Sequence, residues 1–410
     1  MPKSVYLSIT MLLSVSLWDL IVLTPVFNPV TMPVFIAAWA LLGLLLYRKQ
    51  PEPFSLFNYT RFRKYYLWFF AGITLSVIPA YLSWNQDIFI SIIVNRALII
   101  YAFIPLLMYI KPNDREIIRA LIYYTVVYMV VWLIQALLVP IPLTVPFLNW
   151  MSMGAPFEID PTDFGKLLPG YTLITVLFYL QLQQFRNEST FKKLIPVLLV
   201  FGVLFLLQNR GTLFFATAVF MYVLLKLKSN YKPYLMLFFA AVGALLMVYT
   251  YDSWIALLTE TTGQATDSDY NRWKALNFFL FDYSPDWLNY ILGNGRLSFQ
   301  TEAGVDTFLL SMDGYDQSDI GIIGFWSIYG LISVAVICIL IFKVIRNSYF
   351  PFYLKALAFH MLLVPIAWNF VAADAMVLIL FFYLYAYYSE ANRIADEQSN
   401  DEKAAYIPQS

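Results

Sequence analysis

Very little in this chain suits the usual solution chemistry of enzymes. Among 410 residues there is one histidine, His360, and one cysteine, Cys338. A lone cysteine forms no intramolecular disulfide and no cysteine cluster for a metal, and Cys338 lies inside an apolar run, where packing is its ordinary role. Charge is scarce as well: Asp, Glu, Lys and Arg make up 13% of the residues, against about 25% in an average soluble domain. Lys and Arg number 26, as do Asp and Glu, so the net charge is zero. That removes the bulk electrostatic case for nucleic acid as a partner. The signatures GxxxxGK[ST], HExxH and GxSxG do not occur, which takes away the common phosphate-loop, zinc-hydrolase and serine-hydrolase readings.

What remains is apolar. Hydrophobic residues are 60% of the chain, aromatic residues 19%, and the mean hydropathy is +0.67. These residues fall into about twelve runs, near 5–24, 33–47, 65–83, 88–110, 117–139, 169–185, 194–209, 211–227, 232–250, 320–342, 354–371 and 375–388. A membrane-crossing helix needs roughly 20 mostly apolar residues. The expectation is therefore an all-α polytopic membrane protein of about twelve transmembrane helices. Lys3 precedes the first run and no small-residue cleavage site follows it, so that run reads as a retained helix.

The cations orient the chain. With alternation of sides, Lys3, Arg48 to Lys64, Lys111 to Arg119, Arg186 to Lys193, Lys226 to Lys232, Lys343 to Lys355, Arg393 and Lys403 fall on one side, twenty of the twenty-six. Cytoplasmic loops retain Lys and Arg, so both termini are expected in the cytoplasm. The other side receives two long segments, an outer loop at 140–168 and a larger loop at 251–318. The expected order is thus helices 1 to 9 within 1–250, the large loop, helices 10 to 12 within 319–388, and a disordered cytoplasmic tail at 389–410. Long loops are disproportionately functional. The stretch from Tyr270 to Tyr290 carries enough aromatic and aliphatic residues to predict one or two short helices lying along the membrane surface.

The six cations that break the pattern are Arg96, Lys166, Arg210, Arg272, Lys274 and Arg296. Arg96 falls about eight residues into its run, on the order of 12 Å deep at 1.5 Å per residue. Burying a guanidinium there costs roughly 2.5–3.5 kcal/mol on insertion scales, which calls for an anionic ligand or a carboxylate partner such as Asp87, Asp374 or Asp19. Arg210, in Gln208-Asn209-Arg210-Gly211-Thr212, sits at the outer turn between two apolar runs, either as part of an anion site or as a snorkelling helix cap. Arginine forks suit diphosphate oxygens. Asp316 and Asp319, just before the run at 320, are placed either to take a proton from a hydroxyl or to cap the following helix. His360 lies far from these charges and reads as packing.

Three segments together resemble the superfamily of O-antigen polymerases and ligases. They are Gln208-Asn209-Arg210-Gly211-Thr212, then Asn271-Arg272-Trp273-Lys274 leading to Pro285 and Gly293-Asn294-Gly295, then Ser318-Asp319-Ile320-Gly321 followed by Tyr329-Gly330-Leu331. They occur in the family's order over residues 200 to 335. The resemblance implies a GT-C-like architecture in the bacterial cytoplasmic membrane. It also implies metal-independent, cofactor-free glycosyl transfer at the outer face, from an undecaprenyl-diphosphate-linked oligosaccharide. In that picture Arg210, Arg272, Arg96 and Arg296 bind the diphosphate, and Asp319 or Asp316 activates the acceptor hydroxyl. The family often has a histidine before the late helix; Asp316 to Asp319 stand there instead, which favours a Wzy-type polymerase of O-antigen, capsule or exopolysaccharide over a lipopolysaccharide ligase. A chain-length regulator and a flippase are the partner proteins it suggests. A lipid-linked oligosaccharide transporter is the rival outside enzymology.

Overall fold

The structure, a computed structural model, describes residues 1–14, 31–47, 60–138, 171–207, 210–227, 232–234, 236–237, 271–313, 315, 317–363 and 374–405. The outer loop at 140–168, most of the run at 232–250, the first part of the large loop, Asp19 and Asp316 lie outside these residues. All regular elements among the described residues are helical. They are α1 (Lys3–Ser14), α2 (Thr31–Leu46), α3 (Thr60–Leu75), α4 (Val77–Leu82), α5 (Ile88–Val94), α6 (Phe103–Ile110), α7 (Asp114–Leu138), α8 (Tyr171–Glu188), α9 (Phe191–Leu206) and α10 (Arg210–Lys226). There follow α11 (Asn271–Asn277), α12 (Trp287–Leu292), α13 (Glu302–Met312), α14 (Gly321–Arg346), α15 (Phe352–Leu363) and α16 (Ala375–Ala405).

Among the described residues three helical stretches are long and apolar enough to cross a membrane: Arg61–Leu82, Asp114–Leu133 and Gly321–Arg346. Five shorter apolar helices accompany them, from α1, α2, α6, α10 and α15. α16 shows why the core forms where it does. Its residues from Ala375 to Ala386 are apolar on every face and each is at most 3% exposed, the pattern of a helix surrounded by others. Around it pack α1, α3, α6 and α8, while α14 lies between α3, α12 and α15. His360 is buried in this core, its Nδ1 2.9 Å from the Tyr179 hydroxyl and its ring 4.9 Å from that of Phe215.

Local sequence explains the breaks. Pro79 removes one backbone donor and its ring crowds the preceding turn, so the stretch Arg61–Leu82 bends at Ser76 between α3 and α4. α7 opens with a capping box: Asn113 Oδ1 accepts from Glu116 N at 3.0 Å and Glu116 Oε2 accepts from Asn113 N at 2.9 Å.

Two expectations are corrected. The run at 88–110 is not one regular helix, because Asn95–Ala102 is 3-10 between α5 and α6. There the Asn95 side chain donates to Ser91 O at 2.9 Å, competing with the backbone for that carbonyl. Arg96 is only the second residue of this stretch, so its depth reckoned at α-helical rise from residue 88 changes by about 1 Å. The tail from 389 is also not disordered over its described part. α16 continues to Ala405, supported by Arg393 hydrogen-bonded to both Glu390 and Glu397 and by Asn392 donating to Asp396 at 3.0 Å. These pairs lie three and four residues apart, where helical side chains meet. The two carboxylates hold the Arg393 guanidinium pKa above its ordinary value.

One end of the bundle gathers the cations that the alternation rule groups together. Lys3 Nζ donates to Lys111 O at 3.4 Å, Arg186 stacks over Phe352 at 4.6 Å, and Arg61 pairs with Asp396 at 3.7 Å. Lys64 and Lys343 both stand over the Tyr65 ring. At this end Asp114 accepts from Tyr388 at 2.6 Å and from Tyr353 at 3.3 Å.

Candidate functional site

Residues 271–320 form a module with its own small core of Ala275, Phe279, Tyr283 and Ile320, against which Trp84, Leu276, Phe278, Leu297, Tyr315 and Ile323 pack. Its aromatic and aliphatic residues produce the short helices expected from the sequence, α11 and α12, and a third, α13, that was not anticipated. Thr301 starts α13 by accepting from Gly304 N at 3.2 Å. Burial pushes the Tyr283 phenol up to about 12, so it is a neutral packing residue that stacks on Trp84 with ring centroids 5.4 Å apart.

A turn, Gly293-Asn294-Gly295, fastens this module to the bundle. Gly330 interrupts α14 with φ 75 and ψ 175, a conformation nearly confined to glycine. The interruption frees the carbonyls of the preceding turn, and the Gly-Asn-Gly backbone takes them. Asn294 N donates to Ser327 O at 2.8 Å and Gly295 N to Ile328 O at 2.9 Å. Gly293, with φ 85, meets Gly330 directly: a Cβ on Gly293 would fall 2.4 Å from Gly330 N, and one on Gly330 would fall 2.6 Å from Gly293 N. The two glycines of the second and third resemblance motifs are thus one joint.

Side chains complete it. Asn294, fully buried, donates to Ser284 Oγ and Ser327 O at 3.0 Å each. Its Oδ1 accepts from Trp84 Nε1 at 3.0 Å and Asn289 Nδ2 at 2.7 Å. Gln86, also fully buried, clamps the strand beyond the turn: its Nε2 donates to Arg296 O at 3.0 Å and its Oε1 accepts from Ser298 N at 2.7 Å. Polar groups this deep must be satisfied within the protein, and here they are. Sequence reading passed over Trp84 and Gln86, and nothing local marks them, since their partners lie some 210 residues away.

The predicted site residues distribute unevenly over this frame. Arg296 follows the turn with its side chain exposed, its backbone held by Gln86, and close enough to Tyr329 to act on it electrostatically. The Tyr329 hydroxyl donates to Asn95 Oδ1 at 3.0 Å, which brings the 3-10 turn carrying Arg96 to the same place. Of the Arg96 side chain nothing is described. Asp87, one candidate partner for it, caps α5 by accepting from Phe89 N at 2.7 Å, and Asp374, another, accepts from the Thr172 hydroxyl. Arg272 is exposed on α11, which packs on the 3-10 turn Gln317–Ile320 that contains Asp319. The side chain of Asp319 is not described. Arg210 belongs elsewhere: α10 packs on α8, α9 and α15, a different group of helices from those that grip the module. Four of the six named residues therefore lie on or against one module, the helix that begins at Arg210 packs chiefly on other helices, and Asp316 is outside the described residues.

Exposed aromatics line the same module, among them Trp273, Phe281, Trp287 and Phe299. Asp282, Asp286, Glu302, Asp306 and Asp313 are exposed on the same module, so Arg272 and Arg296 are local cations beside flat apolar rings on an otherwise acidic surface. No family model matches the chain, and no curated protein or solved structure matches it either.

Proposed function

We propose that the chain is a membrane glycosyltransferase that joins polyprenyl-diphosphate-linked oligosaccharide repeat units into a longer glycan at the extracytoplasmic face. The observation that carries this reading is the module 271–320 itself. It is bolted to a broken helix by a glycine pair, and it carries exposed Arg272 against the turn of Asp319 and exposed Arg296 near the turn of Arg96. Glycosyl transfer from a lipid diphosphate needs cations that stabilise the departing diphosphate and a base for the acceptor hydroxyl. In the step proposed, the acceptor oxygen forms a bond to the anomeric carbon as the bond to the diphosphate breaks, with inversion. A carboxylate, Asp319 or Asp316, takes the hydroxyl proton, and the arginines take up the negative charge of the leaving group.

Arg210 supports the reading by its place in the resemblance. Its share in diphosphate binding requires the substrate to reach from the module to the start of α10. The prediction is that Arg210→Ala and Arg296→Ala each abolish glycan elongation while membrane insertion stays normal. Long glycan from a knockout strain carrying either variant would remove that residue from the mechanism. Asp319→Asn and Asp316→Asn, read on the same glycan ladder, identify the base; full activity in both would rule out a carboxylate there. Reconstitution with a defined lipid-linked repeat unit tests the whole reading. Polymer without any other acceptor is expected. Transfer only when lipid A is added would make the chain a ligase, and movement of the lipid across the bilayer without transfer would make it a transporter.

A further inference from the structure

We propose that the basic end of the bundle holds an anionic phospholipid, its acyl chain in a groove between α3 and α14 and its phosphate at Lys64 and Lys343. The groove measures about 510 Å³. α3 lines it with Tyr65 and Trp68, α14 with Leu331, Ala335 and Ile339 and α12 with Ile291, and Lys64 joins the lining at its mouth, the basic end. Apart from that lysine and the Tyr65 hydroxyl the lining side chains are apolar or, in Trp68, largely so. From Leu331 to Lys343 an α-helix rises about 18 Å, close to the roughly 15 Å hydrocarbon depth of one leaflet.

The mouth supplies the charge. Lys64 Nζ lies 5.2 Å and Lys343 Nζ 5.0 Å from the centre of one ring, that of Tyr65. Neither lysine pairs with a carboxylate among the described residues. With each ammonium about 5 Å from that ring centre the two lie at most about 10 Å apart, and an anion beside them offsets their repulsion. A lipid whose head lies at this end has its tail pointing toward the Gly330 break. That is the reverse of the orientation required of a donor whose diphosphate meets the arginines of the module, so the occupant is a separate lipid. The inference rests on the membrane placement and not on the glycan reading, and its test measures no transfer.

The test is native mass spectrometry of the full-length protein in detergent, offered equal amounts of phosphatidylglycerol and phosphatidylcholine with matched chains. Wild type should retain the anionic lipid over the zwitterionic one by roughly 25-fold, the effect of two lysines near an anionic headgroup. Lys64→Gln with Lys343→Gln should keep an adduct but bring the ratio within about twofold, and Ala335→Trp should remove adducts of both lipids. A wild-type ratio under about threefold would overturn the proposal. So would an unchanged preference in the double glutamine variant, or adducts undiminished in Ala335→Trp. The wild-type ratio decides even if a variant fails to fold.

Discussion

Asn294 uses its whole amide inside the protein, with two bonds donated and two accepted. Removing it orphans the half-buried Trp84 indole and the buried Asn289 amide together, and an unsatisfied buried polar group costs about 1–3 kcal/mol. Asn294→Ala is expected to lower the thermal midpoint in detergent and to open residues 271–320 to limited proteolysis; Asn294→Asp should not rescue it, because it keeps the acceptor, loses both donated bonds and buries a charge. A wild-type cleavage pattern in Asn294→Ala would show that the turn does not depend on this side chain. Tyr283 offers a pH test. Its phenol is raised to about 12 in the fold against about 10 when unfolded, so its contribution is fully present below about 10 and is lost as pH rises toward 12. Over that window Tyr283→Phe should resist proteolysis in this segment better than wild type does. None of this was legible at the residue scale. Gly293-Asn294-Gly295 was visible as a motif, but its meaning depends on Trp84 and Ser327, which no local pattern joins to it.

At the scale of elements, the decisive object is the joint between the Gly-Asn-Gly turn and the interrupted α14. A methyl group at either glycine would meet backbone at 2.3 Å as its nearest contact, and both φ values are positive. Gly293→Ala and Gly330→Ala should each destabilise by about 2–3 kcal/mol or more. Because the two positions touch, the double variant should lose less than the sum. Gly202→Ala is the control: its Cβ meets nothing within 4 Å, so it should gain about 0.5–1 kcal/mol of helix stability. Chemical denaturation in detergent measures all four, and additive losses in the double variant would separate the glycines. The elements themselves were partly legible. Apolar period and length located most of the described helices within a few residues. The extended α16 also carried a readable signal, Glu390, Arg393 and Glu397 at helical spacing, which composition alone had labelled as disorder. The 3-10 stretch at 95–102 carried none, since it follows from a side-chain bond of Asn95 and from the grip of Tyr329, 234 residues away.

At the scale of the molecule, charge reading and packing meet. Alternation of apolar runs assigns Lys3, Lys64, Lys111, Arg186, Lys343 and Arg393 to one side, and contacts independent of any membrane bring their neighbourhoods together at one end of the bundle. The module 271–320 is attached at the start of α14, while Lys343 and Arg346 mark the opposite end of that helix. Its 26 residues would span about 39 Å if straight, an upper limit across the break at Gly330, to be set against the roughly 30 Å of a hydrocarbon core. The topology then makes a prediction that needs no knowledge of substrate. In a Cys338→Ser background, Asp306→Cys on α13 and Glu188→Cys at the end of α8 place single thiols on exposed positions of the module and of the basic end. A membrane-impermeant maleimide should label Asp306→Cys in intact cells and label Glu188→Cys only after the membrane is opened. Labelling of both in intact cells would place the two ends on one side and break the twelve-helix scheme. Labelling of Glu188→Cys alone would invert it, and with it the face on which the arginines of the module meet their ligand.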